Sequence, residues 1–145
     1  MSDARMENRT FWENEELKLD GKVYEAVWPG GEAAVNRLAK QGKQPARELI
    51  RKLVDPDTEF FELSRLAGFG MFYPEVDDVP CGGIITGIGR IHGNWTMIVA
   101  NDSRVKAGTY FPITLKKHMR AQACLLYTSD AADDLLCVDL GGRRI

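Results

Sequence analysis

Arg104, Lys106, Ala107, Gly108 and Thr109 fall within one short stretch, Arg-Val-Lys-Ala-Gly-Thr, directly after an apolar run. Two cations on a loop can meet phosphate oxygens, and a glycine lets the backbone approach them. Pro112-Ile113 then opens a helix, whose first N–H groups and positive dipole end also favour an anion. Each charge-assisted contact of this kind contributes about 1.5–3 kcal/mol. The chemistry is that of an anchor for a nucleotide-tailed substrate such as coenzyme A. The same spacing equally suits a solvated basic loop.

Other residues with chemical potential reduce to simpler roles. Gly87-Ile-Gly89 with Gly93 lacks G-x-G-x-x-G spacing, and a strand follows rather than a helix. These glycines are expected to permit a bend or close packing of the strand. His92 and His118 have no second ligand set nearby, so no metal site is expected and both should be exposed. Asp102 ends an apolar strand, where an aspartate more often caps the next turn through its side-chain oxygen than catalyses. Cys81, Cys124 and Cys137 show no CxxC or zinc spacing.

The elements that must position the loop can be read outward from it. Ile84, Ile85, Ile88 and Ile91 form a β-branched run. Gly93-Asn94 reads as a two-residue hairpin turn, and Trp95 to Ala100 as the return strand. Only Thr96 is polar in that strand, so it is expected to be covered on both faces and the pair to begin a larger sheet. Upstream, a helix is expected from Glu32 to Lys40, with Gly42 as its stop. A second runs from Ala46 to Val54 behind Pro45, with Leu49, Ile50, Leu53 and Val54 as its apolar stripe. Arg47, Glu48, Arg51 and Lys52 take its other side. Asp55-Pro56-Asp57 ends it. Phe60, Phe61 and Leu63 start a short strand or anchoring turn, and Gly68 to Val79 reads as a loop. Residues 1–29 are a polar arm with some helix and scattered aromatics, Phe11, Trp12, Tyr24 and Trp28. They suit either docking on another subunit or a frayed terminus.

The 145 residues suffice for one ordinary domain, and 44% hydrophobic with 28% charged composition is that of a globular protein. The net charge of −2 gives no basic excess for nucleic acid. No apolar run reaches a membrane span, and the N-terminus lacks the apolar core of a signal peptide. A reducing compartment, bacterial cytoplasm or a mitochondrial-matrix-like one, is expected. Asn94-Trp95-Thr96 and Asn101-Asp102-Ser103 match the glycosylation sequon but carry little weight there.

Residues 124–145 have a different character. Cys124-Leu-Leu-Tyr-Thr-Ser is the translation of TGT CTC TTA TAC ACA TCT, a string that resembles the mosaic end of a transposase-based sequencing adapter. The following Asp-Ala-Ala-Asp and the closing Cys137 to Ile145 fit the same adapter in one frame, with Asp134, Leu135 and Leu136 at the variable index. The segment is therefore expected to be non-native, and the natural product to continue past Gln122. Its four aspartates and two arginines carry the whole net charge.

From Gly30 to Gln122 the chain resembles the carboxyltransferase (β) subunit of biotin-dependent acyl-CoA carboxylases. Gly30-Gly31-Glu32-Ala33-Ala34, Gly42-Lys43 with Arg47-Glu48 and Ile50, Asp55-Pro56, Phe61-Glu62-Leu63-Ser64 and Ala67-Gly68 follow that family's pattern. So do Gly82 through Arg90, Met97 through Asp102, Val105-Lys106, Gly108-Thr109-Tyr110, and Pro112 with Lys116-Lys117. The Gly-Gly-Ile-Ile-Thr-Gly-Ile-Gly run favours the methylcrotonoyl branch, with geranoyl- and propionyl-CoA carboxylases as alternatives. Two positions depart: Leu49 stands where the family has an arginine, and Ala107 where it has the first of two loop glycines. The first weakens an arginine cluster as nucleotide contact; the second narrows the loop.

The resemblance implies an α/β fold, the incomplete N-terminal part of a crotonase-type (ClpP/crotonase) carboxyltransferase lobe, with N-terminal helices followed by a β-hairpin and a helix. It divides the chain into an arm (1–29), lobe (30–123) and non-native tail (124–145). The implied activity, part of leucine degradation, moves CO2 from carboxybiotin to an acyl-CoA, at the carbon γ to the thioester carbonyl in the methylcrotonoyl case. Backbone N–H pairs of the oxyanion-hole type would lie beyond Gln122, so no catalytic residue is expected here and the fragment alone should be inactive. Biotin would be carried by a biotin carboxylase/biotin carrier α subunit, with β subunits forming a homo-oligomer. The CoA side would fall to Arg104, Lys106, Ala107, Gly108 and Thr109. A non-catalytic CoA-binding or assembly module, and an unrelated α+β interaction domain, are the competing readings.

Overall fold

The computed structural model describes residues 3–71 and 79–128. The chain forms α1 (Asp3–Val27), α2 (Gly31–Lys40), α3 (Ala46–Leu53), β1 (Phe61–Leu63), β2 (Ile84–Ile91), β3 (Asn94–Asn101) and α4 (Pro112–Thr128). The strands make one antiparallel sheet in the order β1-β2-β3. Most of the loop expected over 68–79 and of the tail over 124–145 lies outside the described residues, although α4 runs unbroken through Cys124 to Thr128.

β2 is the buried strand. Ile84 and Ile85 are both inaccessible although they point to opposite faces, and Thr86 is buried as well. That pattern marks a strand covered on both sides. On one side Ile85 joins Ile98 of β3 and Ala46 and Ile50 of α3, with Val54, Phe60, Ile91 and Ala100 packed against them. Gly87 and Gly89 share this face. A Cβ at Gly87 would come within 2.4 Å of the Phe60 ring, and one at Gly89 within 2.8 Å of Val54. The glycines are thus what allows Phe60 and Val54 to lie on the strand, which is the close packing their positions suggest.

Three local expectations are corrected. β3 is expected to be covered on both faces, yet it is an edge strand with Trp95 71% exposed and Val99 also exposed, and β2 is the covered one. Composition cannot tell the central strand of a sheet from its edge. The hairpin turn is His92-Gly93, one residue earlier than the Gly93-Asn94 reading, and Ile91 pairs with Asn94. Both turn residues have positive φ, 50° and 81°, as a type I′ turn requires. His92 is held there because the Asp55 carboxylate accepts from its backbone N–H and that of Gly93, each at 2.7 Å. Finally, α3 buries Ala46 and Ile50, while Leu49 and Leu53 are exposed and Arg47 turns inward.

The polar arm is a single 25-residue helix. Its surface is almost wholly exposed, Phe11, Trp12 and Tyr24 included. Against the described residues its C-terminal part docks: Lys22 Nζ lies 5.1 Å from the centre of the Phe69 ring, Ala26 is buried, and the Val27 carbonyl accepts from Arg47 Nη1 (3.0 Å) and Arg104 Nη2 (3.2 Å). Two cations from elsewhere in the fold thus meet the negative end of the helix dipole. α2 closes as expected on Gly42, which has φ 69° and donates to the Ala39 carbonyl. No helix among the described residues is long and apolar enough to cross a membrane.

Candidate functional site

The loop from Asp102 to Thr109 leaves the end of β3 as a chain of tight turns. Val105 N donates to the Asp102 carbonyl, Gly108 N to Val105 and Thr109 N to Lys106, all at 2.8–3.1 Å. Thr109 Oγ1 donates to the same Lys106 carbonyl at 2.8 Å. Lys106, Ala107 and Gly108 have φ of 43°, 57° and 84°. The left-handed region costs an ordinary side chain about 1–2 kcal/mol, so two successive non-glycine residues there are held by their surroundings.

Asp102 is what holds the loop's root. Its Oδ1 accepts from Arg104 N at 3.0 Å, the capping role expected of it. The same carboxylate then takes the Arg104 guanidinium in a fork, Nε to Oδ1 at 3.0 Å and Nη2 to Oδ2 at 2.7 Å. The Arg104 side chain is 1% exposed and that of Asp102 3%. The Arg104 guanidinium also lies 5.5 Å from the centre of the Trp28 ring. Arg104 therefore ties together α1, β3 and the loop, and its charge is already matched.

The five loop residues singled out in the sequence are brought together, but their side chains differ in availability. Lys106, Ala107 and Thr109 are exposed and Gly108 half-buried. A cleft of about 320 Å³ opens beside them, between the bend Pro29-Gly30, Pro80 and the run Arg104-Val105-Lys106. Arg37 of α2 lines its other side, donating to the Arg104 carbonyl at 3.4 Å. With Arg104 neutralised by Asp102, the exposed cations around this cleft are Arg37 and Lys106. Arg37 was missed in the sequence because a basic residue in the last turn of a helix reads as dipole compensation.

A second polar cluster sits behind the loop. Arg47 forks onto Glu62, with Nη2 to Oε1 at 2.6 Å and Nε to Oε2 at 3.0 Å, and its Nη1 lies 3.6 Å from Asp102. Burial alone would push the Glu62 carboxyl up; the hydrogen bond and charge of Arg47 outweigh it and hold it below its ordinary value. For Arg47 burial acts downward, and Glu62 again prevails, leaving the guanidinium above its ordinary value. Cys81 adjoins this pair, and burial raises its thiol against the opposing charge of Lys117. Thr114 Oγ1 donates to the Gly82 carbonyl at 2.6 Å and accepts from Phe111 N, seating the start of α4 against the head of β2. No group of three or more potential metal ligands occurs among the described residues.

The Carboxyl transferase domain family matches residues 37–145. A methylcrotonoyl-CoA carboxylase beta chain from Dictyostelium discoideum is 56% identical over 116 residues, 80% of this chain and 19% of that protein. One from Arabidopsis thaliana is 46% identical over 121 residues, 83% of this chain and 20% of that protein. Among solved structures, the beta subunit of P. aeruginosa geranyl-CoA carboxylase aligns with a TM-score of 0.55 at 32% identity, over 83% of this chain and 21% of that one. Transcarboxylase 12S, solved with methylmalonyl-coenzyme A and methylmalonic acid bound, aligns at TM-score 0.67 and 30% identity, over 80% and 23%. The chain spans about a fifth of the length of these relatives. Its structural neighbours are carboxyltransferase β subunits of the crotonase fold, and the chain belongs to the carboxyl transferase domain family.

Proposed function

We propose that this chain supplies the coenzyme A-facing part of a biotin-dependent acyl-CoA carboxyltransferase subunit, acting on 3-methylcrotonoyl-CoA. The observation that carries the reading is the cleft beside the Lys106 loop, flanked by the exposed cations Arg37 and Lys106. Its volume lies at the lower end of ligand sites and suits a phosphate or phosphorylated sugar rather than a whole coenzyme. Lys106 and Arg37 would meet the phosphates, Gly108 and Ala107 would give backbone approach, and Thr109 would fix the turn. Arg104 would act indirectly, by setting the loop's position through Asp102.

The methylcrotonoyl assignment is supported by the names of the two relatives above. In the proposed enzyme biotin arrives on a separate biotin carboxylase and carrier subunit, the β subunits assemble with one another, and turnover requires the whole subunit. Both relatives are named as mitochondrial, which supports a matrix setting, with the bacterial cytoplasm as the alternative. The test is a carboxyl-transfer assay on the full subunit carrying Lys106→Ala. Loss of a phosphate contact raises KM for the acyl-CoA at least tenfold and leaves kcat within about twofold. Unchanged KM removes Lys106 from the site; a loss confined to kcat removes it from binding.

A further inference from the structure

Cys81 and Lys117 lie outside the cleft, and the proposed function uses neither. Both are buried, at 4% and 6% exposure, although they come from distant parts of the chain. Lys117 Nζ lies 2.9 Å from Cys81 Sγ and 2.9 Å from the Cys81 carbonyl oxygen. Among the described residues, no carboxylate lies within ion-pair distance of that nitrogen. Sγ in turn donates toward Glu62 Oε1 at 3.3 Å. Cys81 has φ 57°, a conformation that a cysteine rarely adopts. It is fixed there by Lys117 on its own carbonyl and by Thr114 on the carbonyl of Gly82. A strained residue held by several contacts, with a lysine nitrogen 2.9 Å from its sulfur and a carboxylate oxygen on the other side, is more than a packed thiol.

We propose that Cys81 and Lys117 form an oxidative modification site, in which a small hydroperoxide converts the contact into a covalent sulfur–nitrogen cross-link. In the first step sulfur attacks the O–O bond of hydrogen peroxide as its S–H proton passes to the departing hydroxide. An S–O bond forms, the O–O bond breaks, and one water leaves; sulfur is oxidised by two electrons and the peroxide reduced by two. The product is a sulfenic acid, which condenses readily with a neighbouring nitrogen. In the second step the Lys117 amine, having lost its ammonium proton, attacks sulfur. The S–N bond forms, the S–O bond breaks, and the hydroxyl leaves as a second water with one amine proton. Thiol, ammonium and one hydrogen peroxide thus give the sulfenamide, two waters and a proton. Burial restricts the oxidant to one about the size of water. It also slows the first step, because a buried thiol ionises reluctantly. It shields the sulfenic acid from a second oxidant, so the adjacent amine captures it. The linkage would tie the head of β2 to α4 and, like other sulfenyl products, would be reversed by thiols.

The test is peptide mapping by tandem mass spectrometry of the folded 145-residue chain after graded hydrogen peroxide, under non-reducing conditions. The expected product joins the Cys81 and Lys117 peptides with two hydrogens fewer than their sum. It disappears with dithiothreitol and is absent from Cys81→Ser and Lys117→Arg. Cys124, which is more accessible, serves as the internal dose marker. Cys81 that stays a thiol, or proceeds to unlinked sulfinic acid, once Cys124 is fully oxidised would overturn the proposal. So would a linked pair that keeps the added oxygen, since that is not an S–N bond. The wild-type map decides the matter even if either variant fails to fold.

Discussion

Replacing Asp102 with alanine should be among the most damaging single changes in the chain, through Arg104 rather than through any direct loss of ligand contact. The Asp102 carboxylate accepts from Arg104 N, Nε and Nη2 at 2.7–3.0 Å and lies 3.6 Å from Arg47. Without it, a guanidinium whose side chain is 1% exposed keeps, among the described residues, the Val27 carbonyl and the Trp28 face. Leaving one member of a buried pair unmatched costs about 3–5 kcal/mol. The lost bond to Arg104 N adds about 1 kcal/mol. The folding equilibrium of Asp102→Ala should fall by at least about a hundredfold, since about 1.4 kcal/mol is tenfold. Urea unfolding followed by circular dichroism measures this, with unchanged m confirming that the same surface is exposed. The double variant Asp102→Ala/Arg104→Met should be more stable than Asp102→Ala, because it removes the orphaned charge. A loss under about 1 kcal/mol, or strict additivity of the two changes, would refute the reasoning.

Other consequences are as specific. Ala107→Gly should stabilise the chain by about 1 kcal/mol in the same urea experiment, because φ of 57° strains alanine and not glycine. Gly87→Ala should cost about 1–3 kcal/mol or prevent folding, since the new methyl meets the Phe60 ring and the Phe61 carbonyl within 2.5 Å; soluble expression and thermal melting read this. Acid should loosen both Arg47–Glu62 and the hairpin. The Glu62 carboxyl and that of Asp55, held down first by the Gly93 N–H and then by that of His92, both lie below their ordinary values of 4.5 and 3.8. Their stabilisation is therefore complete above those values and is lost as pH falls through the lower folded ones. Amide exchange at His92 and Gly93, corrected for the intrinsic pH dependence, should rise only at that acid end.

Much of this fold could be read from local signals. Gly42, Asp55-Pro56 and Pro112 mark helix ends and starts by backbone sterics alone, and the structure places α2, α3 and α4 at those signals. The helical arm was less legible because α1 has no apolar stripe. Its surface is held by propensity and by pairs such as Arg9–Glu13 and Lys18–Glu15, each of which is weak. The candidate loop was legible as a cationic bend. Its supports were legible only where they are near in sequence: Asp102 reaches Arg104 two residues on, and the capping role followed. Arg47 meets Glu62 fifteen residues away, and Lys117 meets Cys81 thirty-six away. Those contacts depend on how the sheet packs, and no spacing in one chain announces them. Strand identity failed for a related reason: two apolar strands look alike until the sheet decides which is central.

The central claim is that the bend after β3 and the facing end of α2 receive a phosphate-bearing coenzyme. Calorimetric titration of coenzyme A into the folded chain, set against the Arg37→Ala/Lys106→Ala variant at low and high salt, tests it most directly. The account predicts binding that weakens with salt, and at least a tenfold loss of affinity in the variant with a shallower salt dependence. Equal affinity of the two proteins, with the variant still folded, would contradict it.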